Sequence, residues 1–337
     1  MKKAAILLFA CFALVYILPL GLRPMVIPDE TRYAEIPREM IASGDWFSPR
    51  LVDVRYFEKP VLGYWLNALS MSVFGENRFA NRLPAAAAAG LSALFIFLVV
   101  RRRGSGAGLL AAGILLSSVL FFVIGVFNVL DGPLTLCVTG AMAFFFMAYS
   151  ESSVRRRIAM LAACGVFCGL AFLCKGFLAL VLPAIVIIPF LAWELGIGMI
   201  VALGACCAMA LISRGCGLGI SYAGFPVAAA IMSVIAVIFL GAAALLSIAV
   251  PFMAWRRRWK DNPAVLLAPV AAAAVVALPW CVMIALSESD FWHYFFWIEH
   301  VKRFTEPGSA QHPEAFWFFV PIILGGALPW TTMFPAA

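Results

Sequence analysis

The stretch PAAAAAGLSALFIFLVVRRR, Pro84–Arg103, runs without a charge from Pro84 to Val100 and then closes on three consecutive arginines. A helix needs about 20 predominantly apolar residues to cross the hydrocarbon core of a bilayer. The arginine triplet then marks the end held on the cytoplasmic side. This pairing of an apolar run with a basic stop recurs along the chain and decides the fold.

The 337 residues are 64% hydrophobic and only 12% charged, with a mean hydropathy of +1.01. Soluble domains carry about 25% charged residues, so a single soluble core is excluded. Outward from Pro84–Arg103, apolar runs mark spans at about 5–24, 83–100, 106–128, 133–150, 158–174, 177–193, 197–213, 226–254, 264–286 and 315–335. The predicted fold class is an all-α polytopic membrane protein of about ten transmembrane helices. The N-terminal MKKAAILLFACFALVYILPLGL opens like a signal peptide. Its apolar stretch is long and no small-x-small cleavage site follows, so it reads as a retained first helix. The nine cysteines fall mostly inside apolar runs without metal-ligand spacing, as small packing residues do. The net charge of +7 does not point to nucleic acid, because the basic runs sit at helix ends.

Those runs fix a topology. Lys2–Lys3, Arg101–Arg103, Arg155–Arg157 and Arg256–Arg258 with Lys260 fall on one side, which is then cytoplasmic. Two large segments, 25–82 and 287–314, become external, and Asp131 and Lys175 emerge on that same side. The isolated charges therefore gather opposite the basic runs, which topology alone does not require.

The first external segment carries its own structure. Tyr33, Ile36, Met40 and Ile41 repeat at helical spacing, with Arg32, Glu35, Arg38 and Glu39 on the other face. This predicts a surface helix over Glu30–Ser43, stopped by Gly44 and bent at Pro37. A second is expected over about Pro60–Phe74, with Tyr64 and Trp65 at headgroup depth.

Five groups of residues bear chemistry. Asp29, Glu30, Arg32 and Tyr33 stand where a span meets the first surface helix; Asp29 either caps that helix or offers a carboxylate as general base. Tyr56, Glu58 and Lys59 precede Pro60, where Lys59 is either a solvated ion-pair partner or a point charge for a phosphate. Asp131 either caps the helix that Pro133 opens or faces a site. Lys175, between two apolar spans, either snorkels or finds a partner. Glu299, His300, Lys302 and Arg303 adjoin Trp292, Trp297 and Trp317, either as an interfacial aromatic belt or as an anion site with an apolar wall. No cofactor is called for; Glu58 with His300 is the one pair offered to a divalent metal, and no ligand spacing supports it. Together, cations and carboxylates on one membrane face beside surface helices suit a phosphate on a lipid tail.

PDETRYAEIPREMIASGDWFSPRL, VRYFEKPVLGYWL, FGENRFANRLPAA, DGPLTL, FLCKGFLALVLP, EHVKRF and GGALPW occur in this order. Over nearly the whole chain they resemble the polyprenyl-phosphate-dependent glycosyltransferases of the GT-C type. The branch they resemble is that of ArnT-like aminoarabinose transferases, related to protein O-mannosyltransferases. The resemblance implies an inverting transfer of a sugar from a polyprenyl phosphate to an envelope acceptor such as lipid A. Another glycan or a protein hydroxyl stays open as acceptor, and membrane lipids are the remaining partners. The setting implied is the external, periplasmic face of the bacterial inner membrane. It makes Asp29 the likeliest base, with Glu58 and Asp131 lining the sugar cavity as the other catalytic carboxylates. Lys59, aided by Arg32, Tyr33, Tyr56 and Arg303, would hold the phosphate. Glu30, Lys175 and His300 match family words as further substrate-binding residues. The whole chain, 1–337, reads as one membrane-embedded transferase domain, and the further spans and soluble domain typical of the family are expected to be missing from it. A lipid-linked sugar flippase and a non-catalytic lipid-binding fragment are the alternative functions.

Overall fold

A computed structural model of the chain describes residues 2–222, 226–258, 262–302 and 316–336. The helices form two compact units, Met1–Leu180 with Pro269–Ala337, and Val181–Ala268.

In the first unit, α1 (Lys2–Phe12) continues through a wide turn, Ala13–Ile17, and a tight one, Leu18–Gly21, as one apolar span. α2 (Asp29–Ser43) follows as the expected surface helix. Gly44 ends it at φ +73°, a left-handed conformation that glycine adopts without a Cβ clash. Pro37 is accommodated within α2 and buried. A two-residue hairpin, β1 (Arg50–Leu51) and β2 (Val54–Arg55), pairs Arg50 with Arg55 and Leu51 with Val54. Its turn residues Val52 and Asp53 take positive φ without being glycine. The Glu39 carboxylate accepts both their backbone N–H groups, at 2.6 and 3.1 Å, and holds the turn.

α3 (Leu62–Phe74) is the second surface helix, two residues shorter at its start than expected, with Val61 as its N-cap. α4 (Arg78–Val100) is capped by Asn77, whose Oδ1 accepts from Ala80 N at 2.9 Å. α7 (Asp131–Tyr149), α8 (Val154–Lys175) and α12 (Ala264–Ser287) complete the core of the bundle. α8 and α12 touch backbone to backbone at Gly165, where an added Cβ would lie 2.0 Å from the Pro269 carbonyl oxygen. Beyond α12 comes α13 (His293–Lys302), a helix wound with wide π-type turns.

The second unit holds most of α9 (Phe177–Leu195), with α10 (Ile197–Tyr222) packed along α11 (Pro226–Arg258). Arg257 donates to the Glu194 and Leu195 carbonyls across this unit.

Among the described residues, seven helices are long and apolar enough to cross a membrane, or eight with one bent pair, where the sequence suggested about ten. The span expected over 106–128 is that bent pair, α5 (Ser105–Ser117) and α6 (Val119–Val126), meeting at 69°. At the break the Ser117 and Ser118 hydroxyls return to the Gly113 and Ile114 carbonyls, and Val119 N–H donates to Leu328 O instead of continuing the helix. The run at 197–213 lies inside α10, where Gly204–Ser213 is a shorter apolar helix. The run at 315–335 is not one span. It divides into a turn at Phe316–Phe318, α14 (Phe319–Gly326) and a turn at Trp330–Ala336, because the Gly325–Gly326 pair and Pro329 stop helix propagation.

Candidate functional site

One core carries the site. Ile36 and Met40 of α2, Phe57 and Val61 before α3, Tyr64 of α3, Leu130, Phe172 and Leu173 of α8, Trp280 and Ile284 of α12, Phe291, and Phe295 of α13 form a single buried cluster. Four of the candidate charges are near sequence neighbours of a member: Asp131 of Leu130, Lys175 of Leu173, Glu58 and Lys59 of Phe57 and Val61. Packing the apolar residue therefore fixes where its polar neighbour emerges.

The entry to α2 is anchored beneath that core. Glu30 is fully buried, and its carboxylate is saturated. It accepts from Arg82 Nε and a terminal nitrogen of the same guanidinium at 2.7 and 2.8 Å. It also accepts from Arg23 at 2.8 and 3.0 Å and from the backbone N–H groups of Val26 and Asn128. Arg82, itself fully buried, donates in addition to the carbonyls of Leu20, Arg23 and Pro24, so all five of its N–H groups are used. Burial alone would push the Glu30 pKa up. The donors from Arg82, Arg23, Asn128 and Val26 outweigh it and bring the pKa down to about 2. The polar chain runs on from the Glu30 carbonyl to Asn128 Nδ2, from Asn128 Oδ1 to Asn67 Nδ2, and from Asn67 Nδ2 to the Tyr33 carbonyl. Glu30 thus holds the segment that presents its neighbours, with no side-chain surface left for a ligand.

Around that anchor the predicted residues come together. Asp29 does not cap α2, whose N-cap is Pro28 without a side-chain bond; its carboxylate, 57% exposed, pairs with Arg32 at 2.6 Å. The Arg32 guanidinium lies 5.1 Å from the Tyr33 ring centre and 5.9 Å from that of Tyr56. Tyr56 donates its hydroxyl to Glu58 Oε2 at 2.9 Å. Lys59 Nζ donates to the Glu58 carbonyl at 2.9 Å and stands 3.8 Å from Glu299 of α13. Nor does Asp131 cap α7: it accepts from Lys175 Nζ at 2.7 Å, so Lys175 finds a partner at the bundle end. Tyr33 ties the pairs together. Burial raises its pKa chiefly; Arg32 acts against this, while Asp29, Asp131 and Glu58 add to it, so all three carboxylates lie within electrostatic reach of one ring. The side chain of His300 and all of Arg303 lie outside the described residues, and with His300 the suggested Glu58–His300 metal pair.

Several participants escaped sequence reasoning. Arg23, Asn67, Arg82 and Asn128 form the anchor. Arg82, a charge inside an apolar helix, is the kind of signal that flags a buried partner. Two donors inside the set, Arg32 Nε and the Tyr64 hydroxyl, are buried with no hydrogen-bond partner among the described residues. Buried donors in that state mark either strain or a ligand position. An apolar groove of about 470 Å³ is lined by Leu62, Leu66 and Phe74 of α3, Leu91 of α4, Pro133 of α7 and Phe167 of α8. Two of its lining residues, Leu62 and Pro133, follow Lys59–Val61 and Asp131 closely in sequence.

Fold and site together define a multi-pass membrane protein of the GT-C type, with surface helices and a cluster of ion pairs and tyrosines at the end of the bundle opposite Arg101–Arg103. The model of the dolichyl-phosphate-mannose-protein mannosyltransferase family matches residues 1–204, and the chain belongs to that family. It is 36% identical over 338 residues to undecaprenyl phosphate-α-4-amino-4-deoxy-L-arabinose arabinosyl transferase 2 of Proteus mirabilis. It is 38% identical over 341 residues to the corresponding transferase of Edwardsiella ictaluri. In both cases 100% of the chain is covered, and the chain spans about half the length (50%) of these curated relatives. The crystal structure of ArnT from Cupriavidus metallidurans bound to undecaprenyl phosphate superimposes with a TM-score of 0.71 at 26% identity, over 99% of this chain and 50% of that one.

Proposed function

We propose that this chain carries the donor-activating site of a membrane glycosyltransferase. In this reading the protein moves a sugar from a polyprenyl phosphate to an envelope acceptor such as lipid A, at the periplasmic face of a bacterial inner membrane. The observation that carries the reading is the convergence of Asp29–Arg32, Tyr56–Glu58 and Asp131–Lys175 around Tyr33 at one end of the bundle, with the Lys59–Glu299 pair joined to it where Lys59 donates to the Glu58 carbonyl. The named activity of the relatives and the ligand of the ArnT crystal structure point the same way.

The chemistry follows from charge. Breaking the bond between the anomeric carbon and the phosphate oxygen leaves a lipid-bound phosphate anion. Lys59 and Arg32 place cations where that charge develops, which lowers the barrier. The buried, unpartnered Arg32 Nε and Tyr64 hydroxyl add donors on the same side. Glu58 and Asp131 face the sugar, where carboxylates stabilise an oxocarbenium-like carbon. Asp29, the most exposed of the paired carboxylates near Tyr33, takes the proton of a hydroxyl acceptor or orients one that is already ionised. One displacement inverts the anomeric centre. The apolar groove lined by α3, α4, α7 and α8 takes an apolar chain of the donor, which its lining of leucines, phenylalanines and prolines suits.

Mass spectrometry of the polyprenyl-phosphate lipids and envelope glycans, with and without the intact gene, tests this reading. Loss of one sugar-bearing envelope species together with accumulation of its polyprenyl-phosphate-linked sugar is the expected result. Identical profiles would remove the transferase reading.

A further inference from the structure

A second apolar groove lies away from the charged site. It is bounded by α1, α4 and α5 and encloses about 620 Å³, within the ~300–1,000 Å³ of ligand sites. Its lining combines small residues, Ala5, Ala87, Gly90 and Ala112, with the rings of Phe9 and Phe97. α1 packs lightly, with only 11% of its span buried, so the groove is open along the membrane-facing side of the unit.

One end of this groove is basic. The span that α1 opens starts at Lys2 and Lys3, and its far end reaches Leu20, whose carbonyl accepts from Arg82 at the charged site. α4 runs the other way, from Arg82 to Arg101–Arg103. Lys2, Lys3 and the arginine triplet therefore share the end opposite the charged site. The Arg101 guanidinium lies 6.0 Å from the ring of Phe97, which lines the groove, so this cation stands at the groove's mouth. All five cations are exposed, and none of them forms an ion pair among the described residues. The nearby carboxylate, Glu151, is within reach of Arg102 but sits 3.9 Å from Arg156.

An apolar groove inside a bilayer gives little selectivity by itself, because lipid tails are as apolar as its walls. Selection comes from the collar, since clustered Lys and Arg beside a span recognise anionic headgroups. We propose that this groove is a binding site for an anionic glycerophospholipid, with an acyl chain between α1, α4 and α5 and its phosphate held by Lys2, Lys3 and Arg101. The site is independent of the transferase reading.

The test uses the full-length protein in nanodiscs of equal phosphatidylglycerol and phosphatidylethanolamine, with retained lipid measured by native mass spectrometry. The wild type retains phosphatidylglycerol in preference. Lys3→Gln with Arg101→Gln lowers that preference on the order of tenfold, as two lost headgroup contacts imply. Ala5→Phe, which fills the groove on a lightly packed helix, removes retained lipid of both kinds. Arg155→Gln with Arg156→Gln, the same number of charges removed at the same bundle end but away from the groove, leaves the preference intact. Unfolding temperatures of all variants are measured alongside, and Ala5→Leu replaces Ala5→Phe if the latter does not fold. Equal retention of both lipids by the wild type would overturn the proposal. So would an equal loss in the Arg155/Arg156 control, or undiminished phosphatidylglycerol binding with the groove filled.

Discussion

Asp29 and Glu30 are adjacent in sequence and chemically alike, yet the fold gives them opposite work. Successive helix residues point about 100° apart, so when one side chain of the pair faces solvent the other turns toward the bundle. Glu30 meets Arg82, 52 positions away, while Asp29 stays 57% exposed beside Arg32. The sequence made both carboxylates visible but not their roles, because the choice of buried face depends on that distant arginine. Glu30→Gln should cost about 3–5 kcal/mol, since it leaves the fully buried Arg82 guanidinium without its charge partner and loosens the partly exposed Arg23; urea or thermal unfolding measures it, and an unchanged midpoint would contradict the anchoring role. The pH dependence has a definite sign. The folded pKa of Glu30, about 2, lies below its ordinary value of 4.5, so its stabilisation is fully present above about pH 4.5 and disappears as pH falls toward 2. Glu30→Gln should flatten unfolding against pH across that window.

At the scale of elements, apolar periodicity and apolar runs located α2, α3 and the C-terminal end of α4, whose start at Arg78 lies five residues before the span read from 83, and Gly44 stopped α2 as expected. What it missed were the places where one element interrupts another. The Ser117–Ser118 break depends on Leu328, and the fragmentation near Phe319 depends on glycine and proline chemistry inside an apolar run. Close approach is equally invisible to hydropathy. A Cβ at Gly63 of α3 would fall 2.2 Å from Leu130 Cδ2, one residue before Asp131. Gly63→Ala should therefore shift Leu130, cost about 1–3 kcal/mol, and lower transfer through Asp131 and Lys175 without removing a polar group. Activity lost with full stability would instead assign Gly63 a direct role. The hairpin has its own latch: Arg55 bridges Glu288 and Asp290 at 2.9 Å each. These pairs are exposed, so Arg55→Ala should change global stability by less than about 1 kcal/mol while speeding amide exchange across residues 50–55. Unchanged exchange there would show that the hairpin is held by Glu39 alone.

At the scale of the molecule, the basic runs and the scattered charges already implied two unlike ends, and the structure brings Asp29, Lys59, Asp131 and Lys175 to one of them and Arg101–Arg103 to the other. Fold class was legible because a membrane leaves few solutions for an apolar backbone. The pairings were not, since Lys59 with Glu299 and Asp131 with Lys175 join segments far apart in sequence, and the family resemblance supplied names for residues rather than partners. The topology makes its own prediction. A thiol introduced as Asp53→Cys in the hairpin turn should react with an impermeant maleimide from the periplasm, and one introduced as Gly106→Cys at the start of α5 only after the inner membrane is opened. The reverse pattern would invert the orientation.

The most direct measurement is sugar transfer by the full-length protein in vesicles, from a polyprenyl-phosphate-linked donor, comparing wild type with Lys59→Ala and Asp29→Asn. Losing the phosphate cation should reduce kcat/KM by about 10²–10³, and losing the carboxylate by about 10²–10⁴ where the acceptor is a hydroxyl. Wild-type rates in both variants would contradict the assignment of this ion-paired cluster as the reaction centre.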